Sequence, residues 1–235
     1  MKILDLSFSS PADDLACDEA LLDECEVSGS DEILRFWQPE KYFVVLGVSN
    51  AWKEELKTRA RTPVYRRCSG GGAVLQGPGC LNYSLILKTK PATPLGNIRS
   101  TNDFVLQRHC EALSRLLGKE VRVRGFTDLT LGALKFSGNS QRCKRNHLLF
   151  HGTFLLDFDL KRIDRCLNVP AKQPAYRENR VHLSFVTNIH ASAEQVKNAL
   201  AGAWGARMKL VNIPELGIKE LTSERYSKEA WNLKF

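Results

Sequence analysis

The chain of 235 residues has no run of about 18 apolar residues, so no membrane-spanning helix is expected. Its first residues, Met1-Lys2-Ile3-Leu4-Asp5, pass straight into a strand-like run and an acidic segment. The basic-then-apolar layout of a secretory leader is missing, and a cytoplasmic protein is the expectation. No internal repeat and no low-complexity tract is present. No CxxC pair occurs among the seven cysteines, Cys17, Cys25, Cys68, Cys80, Cys110, Cys143 and Cys166, and their number is odd. That argues against a disulfide framework and for small core residues in a reducing compartment. Cys143, His147 and His151 recur at intervals of four. No carboxylate or second thiol completes a tetrahedral set, so no metal held by protein side chains is expected. The formal net charge of +8 suits nucleic acid, a membrane surface or an acidic partner. The interleaved aromatic and basic residues of RNA-binding motifs are absent.

What is present begins with a hydrophobic content of 43%, enough for a real core in one large domain or two small ones. Arg66-Arg67-Cys68-Ser69-Gly70-Gly71-Gly72-Ala73-Val74 sets three glycines between two arginines and an apolar run. Glycine admits backbone angles closed to other residues and lets a ligand touch the main chain. An arginine beside such a turn can grip a carboxylate or phosphate bidentately. The same residues also read as a glycine-rich hairpin turn. They are not a P-loop, because no Lys-Ser/Thr pair follows the glycines.

Ser10-Pro11-Ala12-Asp13 predicts a helix start, with Ser10 as N-cap and Pro11 in the first turn. That helix runs to about residue 26 and stops at Ser28-Gly29-Ser30. Strands are predicted over 33–37, 42–46, 64–66, 121–123 and 128–131, and an antiparallel pair over 136–141 and 148–158. Helices are predicted over 52–60, 101–117, 160–167, 192–204 and 221–231. Residues 91–94 read as a loop, and the polar, arginine-rich stretch 170–180 as a mobile loop. Locally paired strands with helices between them suggest an α+β fold, not a doubly wound parallel sheet.

Three segments follow in order: the Arg66–Val74 loop, Lys135-Phe136-Ser137-Gly138-Asn139-Ser140, and His151-Gly152-Thr153-Phe154-Leu155-Leu156-Asp157. In these the chain resembles the lipoate–protein ligase A and octanoyltransferase family, which shares its catalytic domain with biotin protein ligases. The likeness extends from Asp18-Glu19 through Val186-Thr187-Asn188-Ile189. It implies a single catalytic domain over 1–235 with a class II aminoacyl-tRNA synthetase/biotin synthetase-like fold. Mainly antiparallel mixed sheets would be flanked by helices, with those of about 192–235 closing the domain. The accessory domain often found in such ligases is expected to be absent or supplied by a separate protein. The resemblance also implies ATP with Mg2+, lipoate or octanoate as substrate, and transfer to a lysine. The acceptor would be an acidic lipoyl carrier domain or a glycine-cleavage H-type protein. An acidic carrier accounts for the positive charge with neither nucleic acid nor membrane involved, although an ordinary solvated basic surface does so too.

Residue by residue, the resemblance makes Lys135 the catalytic lysine, in contact with the acyl carbonyl and the phosphate. Read without it, Lys135 is an edge-strand lysine facing water. Arg67 would hold the adenylate, and Ser69, Gly70, Gly71, Gly72 and Ala73 would close over it, followed by Gly79. Asn82, Asp128, Ser137, Gly138, Asn139, His151, Gly152 and Thr153 would complete the binding site. His151 either orients the incoming amine or is a packed core histidine. Trp37, Val44 and Leu46, with Phe36, are candidates for the acyl tunnel and equally for plain core. The competing mechanism is an ATP-independent acyl transfer through a cysteine thiolate. The two places where such transferases carry that cysteine correspond to 123–127 and 167–170, which contain none, and Cys166 is out of register. Leu75-Gln76-Gly77-Pro78-Gly79 is similar to a transferase segment and keeps this alternative open. A biotin ligase would need an arginine–glycine loop that is missing. A non-catalytic binding homologue is at odds with the intact Lys135 and glycine loop.

Overall fold

The computed structural model describes residues 1–29, 31–57, 61–89 and 94–235. Strands β1 (Lys2–Asp5), β2 (Ile33–Trp37), β3 (Phe43–Leu46), β4 (Val64–Arg66), β5 (Val74–Gln76) and β6 (Cys80–Lys88) are joined in the second half by five more. These are β7 (Val121–Arg124), β8 (Asp128–Leu131), β9 (Leu134–Cys143), β10 (His147–Leu155) and β11 (Met208–Lys209). The helices are α1 (Pro11–Ser28), α2 (Trp52–Glu55), α3 (Ile98–Leu117), α4 (Leu160–Cys166), α5 (His182–Phe185), α6 (Ala193–Trp204), α7 (Glu215–Leu221) and α8 (Glu229–Asn232). A large sheet runs β11-β1-β2-β6-β10-β9-β8-β7, and a small one runs β4-β3-β5. Pairing is parallel for β11-β1, β1-β2 and β3-β4 and antiparallel elsewhere, which agrees with the α+β expectation.

Strand alternation sorts the large sheet into two faces. Leu34, Phe36, Leu81, Tyr83, Leu85, Leu148, Phe150 and Phe154 pack with Val105, Leu106, Leu113, Val196 and Leu200 of α3 and α6. Ile33, Trp37, Ile86 and Leu149 pack with Leu15, Leu22 and Cys25 of α1 and Ile218 of α7. Polar residues lie in the same register on that second face: Arg35, Asn82, Ser84, His151 and Thr153. A third cluster, with Val44, Leu46, Leu75, Ile163 and Leu167, fills the space between the small sheet and α4. No helix of the described residues is long and apolar enough to cross a membrane.

Helix α1 starts with Pro11 and ends at Gly29, whose φ of +62° is the left-handed region that favours glycine. Ser10 occupies the cap position but makes no side-chain cap bond; the Asp14 carboxylate instead accepts from the Phe8 amide at 3.2 Å. The helix predicted over 52–60 closes after one turn, where Leu56 bridges to Leu167, and its last residues lie outside the described ones. The same holds for Ser30 and, apart from Pro94, for the loop at 91–94. The single helix predicted over 221–231 is instead α7, a wider turn at Thr222–Tyr226, and α8. The wide turn brings Arg225 and the Tyr226 hydroxyl to the buried carboxylate of Glu19, at 2.7 and 2.6 Å. Residues 170–180 carry a single 3-10 turn at Ala175–Arg177 and are tied to the sheets through Tyr176 and Arg180.

Candidate active site

The glycine loop is not a hairpin turn. Strands β4 and β5 lie on opposite sides of β3, so residues 67–73 arch over the end of that strand. Hydrogen bonds from Arg67 N to Leu46 O (2.9 Å) and from Val48 N to Ser69 O (2.8 Å) hold the arch down. The Gly71 carbonyl sits where a Cβ on Gly47 would fall only 2.0 Å away, so the close approach requires glycine at 47. Gly71 itself has φ +89°. The Arg67 side chain shapes the loop from inside, donating to Ser69 Oγ (3.1 Å), Val45 O (3.4 Å), Gly72 O (3.0 Å) and Gly70 O. Little of its donor set is left over, so in this conformation Arg67 braces the loop before it grips any ligand. Burial pulls its pKa down to about 10, which leaves it charged at neutral pH.

A cavity of about 640 Å³ opens beneath the arch. One wall is Arg67, Gly71, Gly72 and Ala73, and another is Lys135, Ser137, Gly138 and Asn139. Asp128, Asn82, His151, Gly152 and Thr153 also face it. Lys135 reaches in from β9 and pairs with Asp128 Oδ1 at 2.7 Å, its side chain 27% exposed. The pair forms because the β8–β9 register shifts between Leu129 and Thr130. A Cβ on Gly138 would fall 2.9 Å from the Lys135 Nζ, so the backbone is shaped around the amine. The Tyr176 hydroxyl donates to the second Asp128 oxygen at 2.7 Å, and burial together with that carboxylate pushes the phenol pKa up.

His151 stands between two groups: Ser69 Oγ lies 2.6 Å from Nε2 and Asp18 Oδ2 3.4 Å from Nδ1. Behind Asp18, Arg35 bonds Asp18 Oδ1 and Asp14 Oδ1 at 2.6 Å each. The order serine–histidine–aspartate has the layout of a nucleophilic triad, but Ser69 is 1% exposed, does not line the cavity and already accepts from Arg67. The chain of bonds ties the glycine loop to α1. One guanidinium faces two buried carboxylates. Burial raises Asp14 to about 7, whereas Asp18 falls below the usual carboxylate range, because Arg35 and His151 outweigh its burial. We read the pair as Asp18 keeping the charge and Asp14 carrying a proton near neutrality. Asp14 then binds a proton more tightly in the folded state, and folding stability falls as pH rises from about 4 to 7. Asp14→Asn is expected to flatten that slope in urea unfolding followed across this range; an unchanged slope would remove Asp14 as its source.

Other predicted site residues are placed differently. Asn82 is locked with Gln76, each amide donating to the other at 3.0 Å, and Gln76 also donates to Thr153 at 2.7 Å. Asn139 ties the β7–β8 turn to β9: its Nδ2 donates to Thr127 O and its Oδ1 accepts from Tyr83, both at 2.6 Å. A Cβ on Gly152 would fall 1.9 Å from that Oδ1, so glycine is required there. Gly79 lies outside the cavity; with φ +90° it packs where a Cβ would fall 2.2 Å from Asp157 O. Ser69 and Gly70 also lie outside the lining. Trp37 faces the cavity, but Val44 and Leu46 do not: on β3 it is Val45 that lines it. Alternation puts the neighbours of Val45 on the other face, and Phe36 belongs to the core under α3 and α6. Gln76, Tyr176, Asp18 and Arg35 were missed. Asp18 and Arg35 had a signal, an acid on the buried stripe of a helix and an arginine inside an apolar strand. Gln76 and Tyr176 had none.

The model of the lipoyl protein ligase A/B catalytic domain matches residues 10–204. The chain belongs to this family. The lipoate–protein ligase A subunit 1 of Thermoplasma acidophilum is 25% identical over 244 residues, covering 93% of this chain and 90% of its own length. A probable lipoate–protein ligase A of Mycoplasma genitalium is 30% identical over 164 residues, 68% of this chain, of which this chain spans only 47%. The octanoyltransferase LipM of Oceanobacillus iheyensis is 27% identical over 245 residues, 93% of this chain and 87% of its own. A lipoate–protein ligase A solved with ATP superposes with TM-score 0.80 at 25% identity, covering 99% and 98% of the two chains. The fold also matches that of a bi-partite lipoate protein ligase solved in work on its E2 lipoyl domain, from Thermoplasma acidophilum. There the TM-score is 0.82 at 24% identity, with 99% of this chain and 95% of that chain covered. The mixed sheets flanked by helices are the shared fold of this ligase family.

Proposed function

We propose that the chain activates lipoate or octanoate with ATP as the acyl-adenylate and passes the acyl group to a lysine of a lipoyl carrier domain. The observation that carries this reading is a fixed ammonium, Lys135, in the wall of a cavity that no cysteine lines. In the first step a carboxylate oxygen attacks the α-phosphorus and pyrophosphate leaves. Lys135 stands where a positive charge meets the negative charge building on phosphate and acyl oxygens. In the second step the neutral carrier amine attacks the acyl carbonyl, the C–N bond forms, AMP leaves with the electrons of the C–O bond, and the proton lost from nitrogen passes to solvent. The cavity keeps water from the mixed anhydride in between. The cavity's carboxylates do not form a magnesium site of their own. Asp128 is held by Lys135 and Tyr176, Asp18 by Arg35, and burial raises the pKa of Glu55. Magnesium enters this reading only as the counter-ion of the nucleotide's phosphates.

The LipM relative makes thiol-mediated transfer the competing reading. It needs a reachable thiolate. Burial pushes the Cys17, Cys68 and Cys80 thiols up to about 12 and Cys110 to about 11, and Cys143 is raised as well. Neither Cys143 nor Cys166 lines the cavity. Replacing both by alanine is expected to leave more than half of the activity, and an acyl thioester trapped on either in the native chain would overturn the ligase reading. Lipoate-driven exchange of pyrophosphate into ATP tests that reading directly; its absence, with transfer from an acylated carrier retained, would establish the alternative. The archaeal bi-partite ligase and its lipoyl domain support two partners, a carrier domain and a separate accessory chain. A glycine-cleavage H-type acceptor is proposed on the chemistry of its lysine alone.

A further inference from the structure

Phe126 sits at the tip of the turn between β7 and β8, at the mouth of the cavity, with its ring 86% exposed. The tip is held on both sides. Gly125, at φ +61°, lies where a Cβ would fall 2.9 Å from Pro174, so it rests on the 170–180 segment. Thr127 bonds Asn139 through both its hydroxyl, at 2.7 Å, and its carbonyl, at 2.6 Å. A large apolar side chain is thus braced by polar anchors and presented to solvent beside the entrance that an acceptor lysine must use. Residues 160–180, which supply part of the same rim, carry six cations against two carboxylates. Of these cations Lys161, Arg162, Arg165 and Lys172 are exposed, and Lys172 lines the cavity with Phe126. Aromatic anchors ringed by charge dominate the energetics of transient interfaces.

We propose that Phe126, with the cations of the 160–180 segment, forms the docking surface for the acidic carrier domain whose lysine receives the acyl group. This rests on the ligase reading for the identity of its partner. An adenine ring is the other occupant that an aromatic side chain at this mouth would suit, but a stacking platform is ordinarily half covered by its own pocket, and Phe126 is not. Docking at the rim directs the carrier lysine past Gly125 and Thr127 toward Lys135 and leaves the interior to the acyl-adenylate.

The test uses the full chain and an apo E2 lipoyl domain as probe. Phe126→Ala is expected to raise the KM for the lipoyl domain about tenfold with kcat little changed, in line with loss of an aromatic anchor. Lipoate-driven pyrophosphate exchange should persist, and Phe126→Trp should restore the KM. Lys172→Glu should weaken the same interaction and flatten its salt dependence. An unchanged KM in Phe126→Ala would overturn the proposal, and so would loss of exchange, which would place the ring on the nucleotide. Calorimetric titration of the apo domain separates this surface from the chemistry. If the native chain shows no exchange but transfers the acyl group from an acylated carrier and binds the domain, and Phe126→Ala does not bind it, the ligase reading falls and the docking surface stands.

Discussion

Lys135→Ala is expected to abolish acyl-adenylate formation in a protein that stays folded. The amine lies 2.7 Å from Asp128 and is the cation that β9 directs into the cavity. Loss of one preorganised electrostatic contact of this kind costs on the order of a hundredfold or more in rate. Folding depends on it far less, because a pair with 27% and 12% side-chain exposure is partly screened by solvent. Asp128 also keeps the Tyr176 hydroxyl when the amine is gone. Lys135→Arg should not rescue, since the guanidinium is bulkier and the amine packs so close to Gly138 that an added Cβ there would fall 2.9 Å from it. Pyrophosphate exchange and a melting curve on the same samples make the comparison. Near-normal exchange in the alanine variant would remove Lys135 from the chemistry.

Gly71→Val should cripple binding of a non-hydrolysable lipoyl-adenylate analogue while the sheets remain intact. At φ +89° a β-branched side chain carries strain on the order of 1–3 kcal/mol. Its Cβ would also lie 2.9 Å from Arg67 Nη2. Displacing that guanidinium releases the Gly70 and Gly72 carbonyls, so the arch over β3 loses its internal brace. The Ser140 hydroxyl, which bonds Gly70 O at 2.9 Å, is then left as a tie between the loop and β9. Affinity per folded molecule is expected to fall at least tenfold, more than any drop in melting temperature accounts for. Titration calorimetry beside thermal unfolding checks this. Unchanged affinity would mean that the loop is a structural arch and not part of the ligand site.

Most of the elements could be read from local pattern. Strands 33–37, 64–66 and 128–131 and the paired strands around residues 138 and 150 follow from short apolar or alternating runs and their turn residues. Glycine at the ends of α1, α3 and α6 marks their stops. The misses share a cause. Hydrophobicity alone points to Val44 and Leu46 as tunnel residues, but a strand between two layers offers alternate residues to each, and Val45 faces the cavity. Gly79 reads as a ligand contact from its glycine-rich run, yet its missing side chain makes room for the backbone at Asp157. The C-terminal helix divides because Arg225 and Tyr226 must both meet Glu19, a residue more than two hundred positions away.

By itself the sequence determined the three motif segments, their order, and the faces their side chains share. On β10, Leu149, His151 and Thr153 must point one way, because alternation follows from backbone geometry alone. Which groups those faces meet was decided only by the tertiary structure. The glycine loop became an arch because β4 and β5 both pair with β3 and not with each other. Lys135 became a fixed cation through a register shift that pairs it with Thr130 and lets its amine reach Asp128, with Tyr176 added from a segment that carries no pattern. Asp18, Arg35 and His151 came together from α1, β2 and β10. Burying one of these charges alone is prohibitive, so the partners must be brought from distant parts of the chain, a constraint that no local repeat records.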